Sequence, residues 1–457
     1  MSVRQSLKGC KDLLAVHRLN PRRYPFLLQS VAQGTPDSRY DVLFMASKQH
    51  LVLPCGASAR QADAFLRMLD RWTVQGTNDT ISHSDPIHED RSPLPFTGGW
   101  FIFLGYEVAR GIEPVLADLP DTPAGFPQAL AVRCPAALVF DHERGQMTAV
   151  AESRSLLLQL VRDYEAAQSP LSVRVAVTEL TQDPPQNFLD AVDRVRQYVL
   201  AGDIFQANIS RRWSGPHVGD AADLYEQLKA SNPAPFAGLA SWQGHAVVSS
   251  SPERLVAQKG RQLTTRPIAG TYPRSQDPVR DRQQCEALLA HPKERAEHVM
   301  LIDLERNDLG RICVPGSIEV SQFMTTESYP NVHHIVSEVR GTRRKNISPV
   351  EVMRAVFPGG TITGCPKVRC MQIIGELEGV GRGPYTGAMG YLNLNGDMDL
   401  NILIRTMHLT AEQVSLRAGA GIVADSDPQR ELEETHHKAA GMLAAFETFA
   451  PDSRSRG

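Results

Sequence analysis

The strongest constraint on the fold is a long series of short strand-like segments bounded by a helical pattern at each end. The helical patterns lie over residues 187–202 and 431–449. So many strands with flanking helices favour an α+β fold built as a large two-sheet β-sandwich. The strands are predicted from alternating apolar residues and glycine turns over residues 245–250, 253–258, 262–267, 314–320, 332–340, 387–394, 398–410 and 413–424.

A pair of prolines in TQDPPQ, residues 181–186, marks the predicted boundary between two domains, 1–180 and 187–445. Asn187 is the predicted N-cap of the helix that opens the second domain. Within the first domain we expect strands over 40–46 and 129–142 and a helix over 154–168. The aromatic run at 94–110 is interpreted as a sheet edge that leads into a helix.

Composition argues against several classes of protein. The 457 residues carry a net charge of −3, which provides no field to attract nucleic acid. No apolar run reaches the length of a membrane span, and the N-terminus lacks the apolar core of a signal peptide. The seven cysteines form no CxxC pair, so we expect reduced thiols in a cytoplasmic protein.

The last helix places Glu431, Glu434 and Lys438 on one narrow stripe because they are spaced by three and four residues. A solvated row of salt bridges would give the same pattern. Immediately before this helix, Gly419 and Gly421 are predicted to expose backbone N–H groups in a loop that suits a carboxylate or phosphate. The stripe is therefore also a candidate binding surface.

A second source of carboxylates is the predicted helix KERAEHVMLIDLERND, which begins near Pro292. Glu297 shares a face with Leu301 and Leu304, so its carboxylate points toward the core. An unpaired buried carboxylate is costly, and either an ion pair with Arg295 or Arg311 or a hard cation such as Mg²⁺ would offset that cost.

Five further residues carry charged or titratable groups in predicted strands or at the end of a glycine-rich loop. Glu253 follows a proline at a strand start and is a candidate general acid, although an edge-strand salt bridge is an alternative. His333 and His334 alternate faces, so at most one of them faces a given pocket. Arg405 is a charge inside a predicted apolar strand and is expected to meet an anion, and Lys367 closes a glycine-rich loop as an anion ligand would.

Long motifs in the second domain resemble those of the chorismate-utilising enzymes. This family includes anthranilate synthase component I, aminodeoxychorismate synthase component I, isochorismate synthase and salicylate synthase. The resemblance spans residues 187–445, and PFTGGWFIFLGYEVAR in the first domain resembles the companion domain of the aminating members. The motifs that carry it are RPIAGT, AEHVMLIDLERNDLGR, GGTITGCPKVRCMQIIGELE, YTGAMGY, AGAGIVADS and ELEETHHK.

The resemblance implies a role for each matching position and a Mg²⁺ cofactor. Gln206 stands where the isochorismate-forming members carry a lysine that activates water, which argues against water as the intended nucleophile. The implied metal ligands are Glu297 and Glu434, with Glu431 acting directly or through water; the implied general acid is Glu253, and the implied ring neighbours and carboxylate-binding groups are His334, Thr271, Arg405, Lys438, Tyr385, Gly419 and Gly421.

The product is predicted from features that disagree. Ala269 in PIAGT resembles the anthranilate-forming members, since typical aminodeoxychorismate synthases resemble PIKGT. Gln29 in LLQS, the NPAPF element at residues 232–236 and the glycine pair of PGGTITG resemble the 4-aminating members instead. We therefore expect amination at C4, with 2-amination as the alternative. The chain carries no amidotransferase signature, so a separate glutamine amidotransferase subunit is expected to supply ammonia.

Overall fold

The computed structural model describes residues 2–9, 11–32, 38–79, 94–122, 125–168, 175–177, 179–329 and 332–448. Side chains at 75–79, 271, 447 and 448 lie outside this description. Among the described residues, none of the helices has both the length and the apolarity needed to cross a membrane. The described cysteines are all unbridged, which agrees with the expected reduced thiols.

The described part of the first 184 residues contains three α-helices and ten strands. The helices are α1 (Leu13–Leu19), α2 (Ala59–Asp79) and α3 (Arg154–Ala166). The strands are β1 (Val3–Leu7), β2 (Phe26–Gln29), β3 (Tyr40–Met45), β4 (His50–Leu53), β5 (Gly99–Leu104), β6 (Ala129–Cys134), β7 (Ala136–Asp141), β8 (Gln146–Ala151), β9 (Ala176–Val177) and β10 (Thr181–Gln182).

The rest of the chain is richer in strands. Its helices are α4 (Pro185–Leu200), α5 (Ala221–Ser231), α6 (Pro278–Ala290), α7 (Pro292–Gly310), α8 (Pro349–Val356), α9 (Lys367–Glu378) and α10 (Pro428–Leu443). Its strands are β11 (Gln206–Val218), β12 (Phe236–Trp242), β13 (His245–Ser251), β14 (Arg254–Lys259), β15 (Gln262–Thr265), β16 (Ile268–Pro273), β17 (Glu319–Ser328), β18 (Val332–Thr342), β19 (Gly364–Cys365), β20 (Ala388–Asn393), β21 (Met398–Ile402), β22 (Thr406–Leu409), β23 (Gln413–Ile422) and β24 (Glu447–Thr448).

These strands form two large, mainly antiparallel sheets, which confirms the predicted α+β sandwich. The first sheet has the order β1-β8-β7-β3-β2-β12-β13-β22-β23-β11-β9-β24, with β10 and β19 also paired to β11. The second has the order β16-β18-β15-β14-β21-β20-β5-β6-β4, with β17 paired to β18. Strands from both sides of residues 181–186 share each sheet, and the division into two domains stays a prediction.

The chain passes repeatedly from one sheet to the other. Residues 129–142 contain β6 in the second sheet and β7 in the first, separated by Pro135. Residues 398–410 were expected to be strand throughout, but they too are divided between β21 and β22, which lie in different sheets. Segments that are neighbours in the sequence therefore contribute strands to both of the sheets whose faces pack together.

Several predicted boundaries were wrong for local reasons. The helix expected to be capped by Asn187 begins at Pro185, whose fixed φ suits the first helical turn. The strand expected over 314–320 begins only at Glu319, because Gly316 adopts a φ of 78° in a turn. β5 is an inner strand between β20 and β6, so residues 94–110 do not form a sheet edge.

A cluster of aromatic side chains packs between the two sheets. Phe26 of β2 stacks on Phe101 of β5 with ring centroids 3.9 Å apart, and both rings are fully buried. Phe44 of β3 packs edge-on against Phe101. Since β2 and β3 lie in the first sheet and β5 in the second, these rings form the core of the sandwich.

Replacing Phe101 with alanine should lower the free energy of unfolding by roughly 3–5 kcal/mol, the usual cost of a large cavity in a packed core. Val115→Ala is the matched control, because this side chain is 60% exposed and its loss should change stability by less than ~0.5 kcal/mol. Urea unfolding monitored by circular dichroism measures the free energy of unfolding of each variant. Equal stability of the two variants would contradict the assigned role of the ring stack.

Candidate active site

Two adjacent crossovers between the sheets position the central pair of charged residues. Glu253 lies between β13 and β14, and Arg405 lies between β21 and β22. The Ile402 amide donates to the Glu253 carbonyl at 3.0 Å, and the Ser250 amide donates to the Arg405 carbonyl at 3.1 Å. These two bonds hold the crossovers side by side and place an acid and a guanidinium in the same region between the sheets.

Glu253 has the properties of a general acid at neutral pH. Its residue is only 4% exposed, and its Oε1 atom is buried with no hydrogen-bond partner among the described residues. Burial raises the pKa of Glu253 to about 7, although the positive charges of Lys438 and Arg405 act in the opposite direction. The edge-strand salt bridge considered as an alternative does not form at this carboxyl group within the described part of the chain.

Arg405 does not lie inside a strand as expected. It occupies the crossover itself, with a φ of 51°, a conformation that residues other than glycine seldom adopt. Its guanidinium makes no hydrogen bond or ion pair to any described side chain or carbonyl, and burial lowers its pKa. A half-buried guanidinium that has no partner among the described residues is well suited to bind an anionic ligand.

The stripe on α10 carries an ion pair. Lys438 Nζ lies 2.6 Å from Glu434 Oε1, and the same ammonium donates to the Gly419 carbonyl at 3.1 Å. The Glu434 carboxylate raises the pKa of Lys438 in spite of the opposing effect of burial. Glu431 is buried one turn earlier, and burial raises its pKa. Lys438 keeps 42% of its side chain exposed and is therefore accessible to a ligand.

Gly419 and Gly421 lie within β23, paired with Ser210 and Asn208 of β11, which confirms the strand predicted over 413–424 and shows that the loop also expected at these two glycines was wrong. Their role is close approach rather than exposed N–H groups. A Cβ on Gly419 would lie 2.9 Å from Tyr385 Oη, and a Cβ on Gly421 would lie 2.1 Å from Gln206 Nε2. Glycine is required because neighbouring side chains cover this stretch of the strand.

Glu297 faces inward from α7, as its position beside the core-facing leucines predicted. Gln206 Nε2 donates to Glu297 Oε1 at 3.1 Å. Burial raises the pKa of Glu297, and the nearby Glu294 and Glu434 carboxylates act in the same direction. Neither of the arginines proposed as ion-pair partners contacts it: Arg295 donates to the Leu289 carbonyl and Arg311 pairs with Glu113.

The carboxylates of Glu297, Glu431 and Glu434 meet some, but not all, of the requirements of a binding site for a hard divalent cation. In the described ranges, no three His, Cys, Asp or Glu side chains form a ready-made metal site. Glu297 and Glu434 are nevertheless close enough for mutual repulsion to affect the Glu297 pKa, and a cation would relieve that repulsion. Mg²⁺ is commonly held by one or two carboxylates together with water and substrate oxygens. Glu297 and Glu434 suit that arrangement.

The strand β16 brings the PIAGT residues beside His334 of β18. The His334 ring Nδ1 lies 3.0 Å from the Gly270 carbonyl, which only accepts, so Nδ1 carries the proton. Burial lowers the pKa of His334 to about 4, so the ring is neutral near pH 7. Thr271 lies opposite His334 in the register, and its side chain is outside the described residues. Ala269 packs against Leu301 and Leu304.

Lys367 is not available as an anion ligand in the way its loop suggested. Its ammonium pairs with the buried Asp308 carboxylate and also donates to the Val356 carbonyl. On α7, which also carries Asp308, burial raises the pKa of Glu305, and the nearby Asp308 carboxylate acts in the same direction. Glu305 was not among the residues predicted from the sequence, although its four-residue spacing from Leu301 placed it on the buried side of α7.

A buried ion triad behind Tyr385 was also missed. Glu378 accepts from Arg382 at 2.6 Å and from Arg417 at 2.7 Å, and all three side chains are nearly inaccessible. The four-residue spacing of Glu378 and Arg382 was visible in the sequence, but their separation by Gly379 and Gly381 indicated a helix end. The triad stiffens the wall beside Tyr385, whose ring lies 5.5 Å from the Arg382 guanidinium.

Comparison with known proteins gives consistent results. A family model described as chorismate binding enzyme matches residues 34–444. An anthranilate synthase component I-like protein of Synechocystis is 42% identical over 78% of this chain and 74% of the relative. Aminodeoxychorismate synthase component 1 of Bacillus subtilis is 34% identical over 97% of this chain and the whole relative. The crystal structure of anthranilate synthase component I from Streptococcus pneumoniae superposes with a TM-score of 0.76, at 30% identity and over 95% of this chain and 97% of that one.

Glu253→Gln should slow chorismate consumption by at least ~10²-fold, because the amide cannot donate the proton that a buried acid supplies. A general acid acts in its protonated form. A pKa of about 7 therefore predicts that the rate falls as pH rises through that value. The exposed Glu412→Gln serves as the control and should retain the parent rate and pH profile. A change confined to KM in Glu253→Gln would indicate a positioning role instead.

Proposed function

The chain belongs to the family of chorismate binding enzymes, and within that family we propose that it is an aminodeoxychorismate synthase component I. In this proposal it converts chorismate and ammonia to 4-amino-4-deoxychorismate, a precursor of para-aminobenzoate and folate. The observation that carries the choice of product is a small, shallow pocket between β2 and β12, where two of the motifs that favour C4 amination, Gln29 and Pro235-Phe236, meet.

That pocket lies where Gln29 and Ser30 meet Pro235 and Phe236. Its cavity is only about 50 Å³, room for a few water molecules. Gln29 is held from both sides, since its Nε2 donates to Asp41 at 2.9 Å and its Oε1 accepts from Lys229 at 3.0 Å. A tryptophan does not fit this space. This supports a member without the tryptophan regulation expected of the 2-aminating enzymes.

The proposed binding mode uses the cations between the sheets. Chorismate is a dianion, and Arg405 and Lys438 are accessible positive charges near Glu253. Tyr385 and the glycine-lined stretch of β23 complete the wall beside Lys438. The neutral His334 ring contributes a hydrogen-bonding and packing surface without adding charge.

Mg²⁺ is proposed as the cofactor, held by Glu297 and Glu434, with Glu431 contributing through water. When bound, it would polarise the ring carboxylate and offset its charge as the reaction proceeds. Glu434 must then turn from Lys438 toward the metal or bridge the two, and Gln206 keeps the Glu297 carboxylate oriented.

Ala269 determines how the nucleophile reaches the ring. An alanine cannot attack C2, so no covalent bond forms between this position and the substrate. In the proposed reaction, ammonia or water adds at C2 while Glu253 protonates the departing C4 hydroxyl, which leaves as water. Ammonia then forms the C4–N bond as the C2 group leaves with its electron pair. The new amine loses one proton, which passes through solvent to restore the acid form of Glu253, so that chorismate and ammonia give 4-amino-4-deoxychorismate and water.

Amination at C2, followed by loss of pyruvate to give anthranilate, is the alternative. Ala269 favours it, since its small side chain leaves C2 open. Relatives named for either activity match this chain, so the products must be compared directly. In both cases ammonia is proposed to come from a separate glutamine amidotransferase subunit in the cytoplasm.

The purified chain, supplied with chorismate, Mg²⁺ and ammonium at mildly basic pH, should release 4-amino-4-deoxychorismate. Para-aminobenzoate should appear only after a separate lyase is added, because amination at C4 leaves the enolpyruvyl ether intact. Liquid chromatography with mass detection measures both compounds. Fluorescent anthranilate formed with one pyruvate per turnover and no lyase would favour the alternative.

The same assay with added L-tryptophan tests whether the pocket around Gln29 binds this amino acid. The rate should be unchanged, since Gln29 and its partners fill the space that the amino acid would need. Inhibition by tryptophan would show that the pocket opens and would remove the main support for C4 amination.

The mass of the intact protein during turnover should show no covalent increment.

Glu434→Gln should abolish turnover while leaving the fold intact, since it removes one of two proposed metal carboxylates. Binding of Mn²⁺ in the presence of chorismate, followed by electron paramagnetic resonance, should weaken at least tenfold. Glu433→Gln changes the neighbouring exposed residue on α10 and should retain both properties. Parent-like activity of Glu434→Gln, or activity insensitive to EDTA, would exclude this metal assignment.

A further inference from the structure

A second cavity lies on the inner face of β11, β22 and β23, beyond the proposed active site. Its volume is about 360 Å³, within the range of small-molecule pockets. Phe126, Pro384 and Leu416 form apolar walls, and Arg212, Arg382 and Arg417 supply cations. Neither Glu253 nor Arg405 lines it, so the cavity is distinct from the chorismate site described above.

Strand register places the two sites end to end. Arg212 pairs with Arg417, and two residues further along the same strands Ser210 pairs with Gly419. Side chains two residues apart share a face, so Arg417 and Gly419 face the same side of the sheet. Tyr385 separates the sites: it lines the cavity, and its hydroxyl lies against Gly419.

The cavity carries an excess of positive charge. Among its described lining residues there are three arginines and no Asp or Glu. The single carboxylate of Glu378 pairs with both Arg382 and Arg417 and so offsets only one of their two charges, while Arg212 lies 3.8 Å from Asp183. His408 adds no charge, because its Nε2 accepts from the Phe126 amide at 3.0 Å.

Arg417 presents a donor to this space. It is a buried residue, 6% exposed. Its Nε donates to Ser210 at 3.0 Å, and its Nη2 donates to Glu378 at 2.7 Å. Its Nη1 makes no hydrogen bond to the part of the chain that the structure describes. A guanidinium nitrogen that borders a cavity and has no acceptor among the described residues favours a carboxylate ligand, which would complete its hydrogen bonding.

We propose that this cavity binds a small ring-bearing monocarboxylate. The carboxylate lies between Arg417 and Arg212, and the ring packs against Phe126 and Pro384. One negative charge on the ligand balances the single positive charge that remains after Glu378 and Asp183 offset two of the three arginines. Because Tyr385 borders both sites, the occupant also changes the affinity of the protein for chorismate. The inference holds whichever carbon of chorismate is aminated.

The test uses 4-fluorobenzoate as the probe and ¹⁹F line broadening as the readout, with the full chain and no Mg²⁺, so that turnover does not interfere. The parent protein should bind the probe at millimolar concentration, and saturating chorismate should not displace it. Arg212→Gln should weaken binding at least about tenfold, the usual effect of losing a charge-assisted hydrogen bond. Ser415→Phe, which fills the cavity, should weaken it similarly.

Arg194→Gln removes the same charge from the exposed face of α4 and should bind the probe as the parent does. Arg405→Gln, in the active site, should also retain binding. The proposal is overturned if the parent fails to bind the probe. It is equally overturned if chorismate displaces the probe, or if Arg405→Gln loses binding while Arg212→Gln keeps it, since the carboxylate would then occupy the active site only.

Discussion

The two hydrogen bonds that join the β13–β14 and β21–β22 crossovers are the constraint on which the rest of the site depends. They tie the Glu253 carbonyl to Ile402 and the Arg405 carbonyl to Ser250. At a crossover the chain leaves one sheet before it enters the other, so these residues lie between two packed layers. Burial there raises the pKa of Glu253 to about 7 and lowers the pKa of Arg405, which has no carboxylate partner in the part of the chain that the structure describes. The raised pKa of Glu253 and the buried position of Arg405 both follow from one topological feature, the pair of adjacent crossovers.

Charge is distributed unevenly across the proposed active site. Arg405 and the neutral His334 lie toward the crossovers, whereas Glu297, Glu431 and Glu434 gather where α7 and α10 approach β23. Lys438 lies between the two groups and contacts both Glu434 and the Gly419 carbonyl. A dianion with a bound divalent cation matches this distribution, because the cation offsets the carboxylates while the substrate offsets the arginine and the lysine.

β23 lines both of the cavities proposed to bind ligands. Its glycines lie beside Tyr385 and Gln206, and its Ser415 and Arg417 line the second cavity on the same face. The Glu378 triad is buried at the junction between them. Tyr385 lies 5.5 Å from the Arg382 guanidinium of the triad and beside Gly419, so it is the wall that the two sites share.

The order and type of the main elements, the sandwich and the family follow from the amino-acid sequence, because hydrophobic periodicity reports which faces are buried and the long motifs are specific. The inward direction of Glu297 and the stripe on α10 were predicted in the same way. Periodicity does not report which sheet a strand joins. Residues 398–410 therefore suggested continuous strand with Arg405 inside it, and the glycines of β23 suggested a loop. Only the packing of the two sheets decides where the chain crosses, which backbone approaches which side chain, and how far burial shifts the pKa of Glu253, since these depend on neighbours distant in sequence.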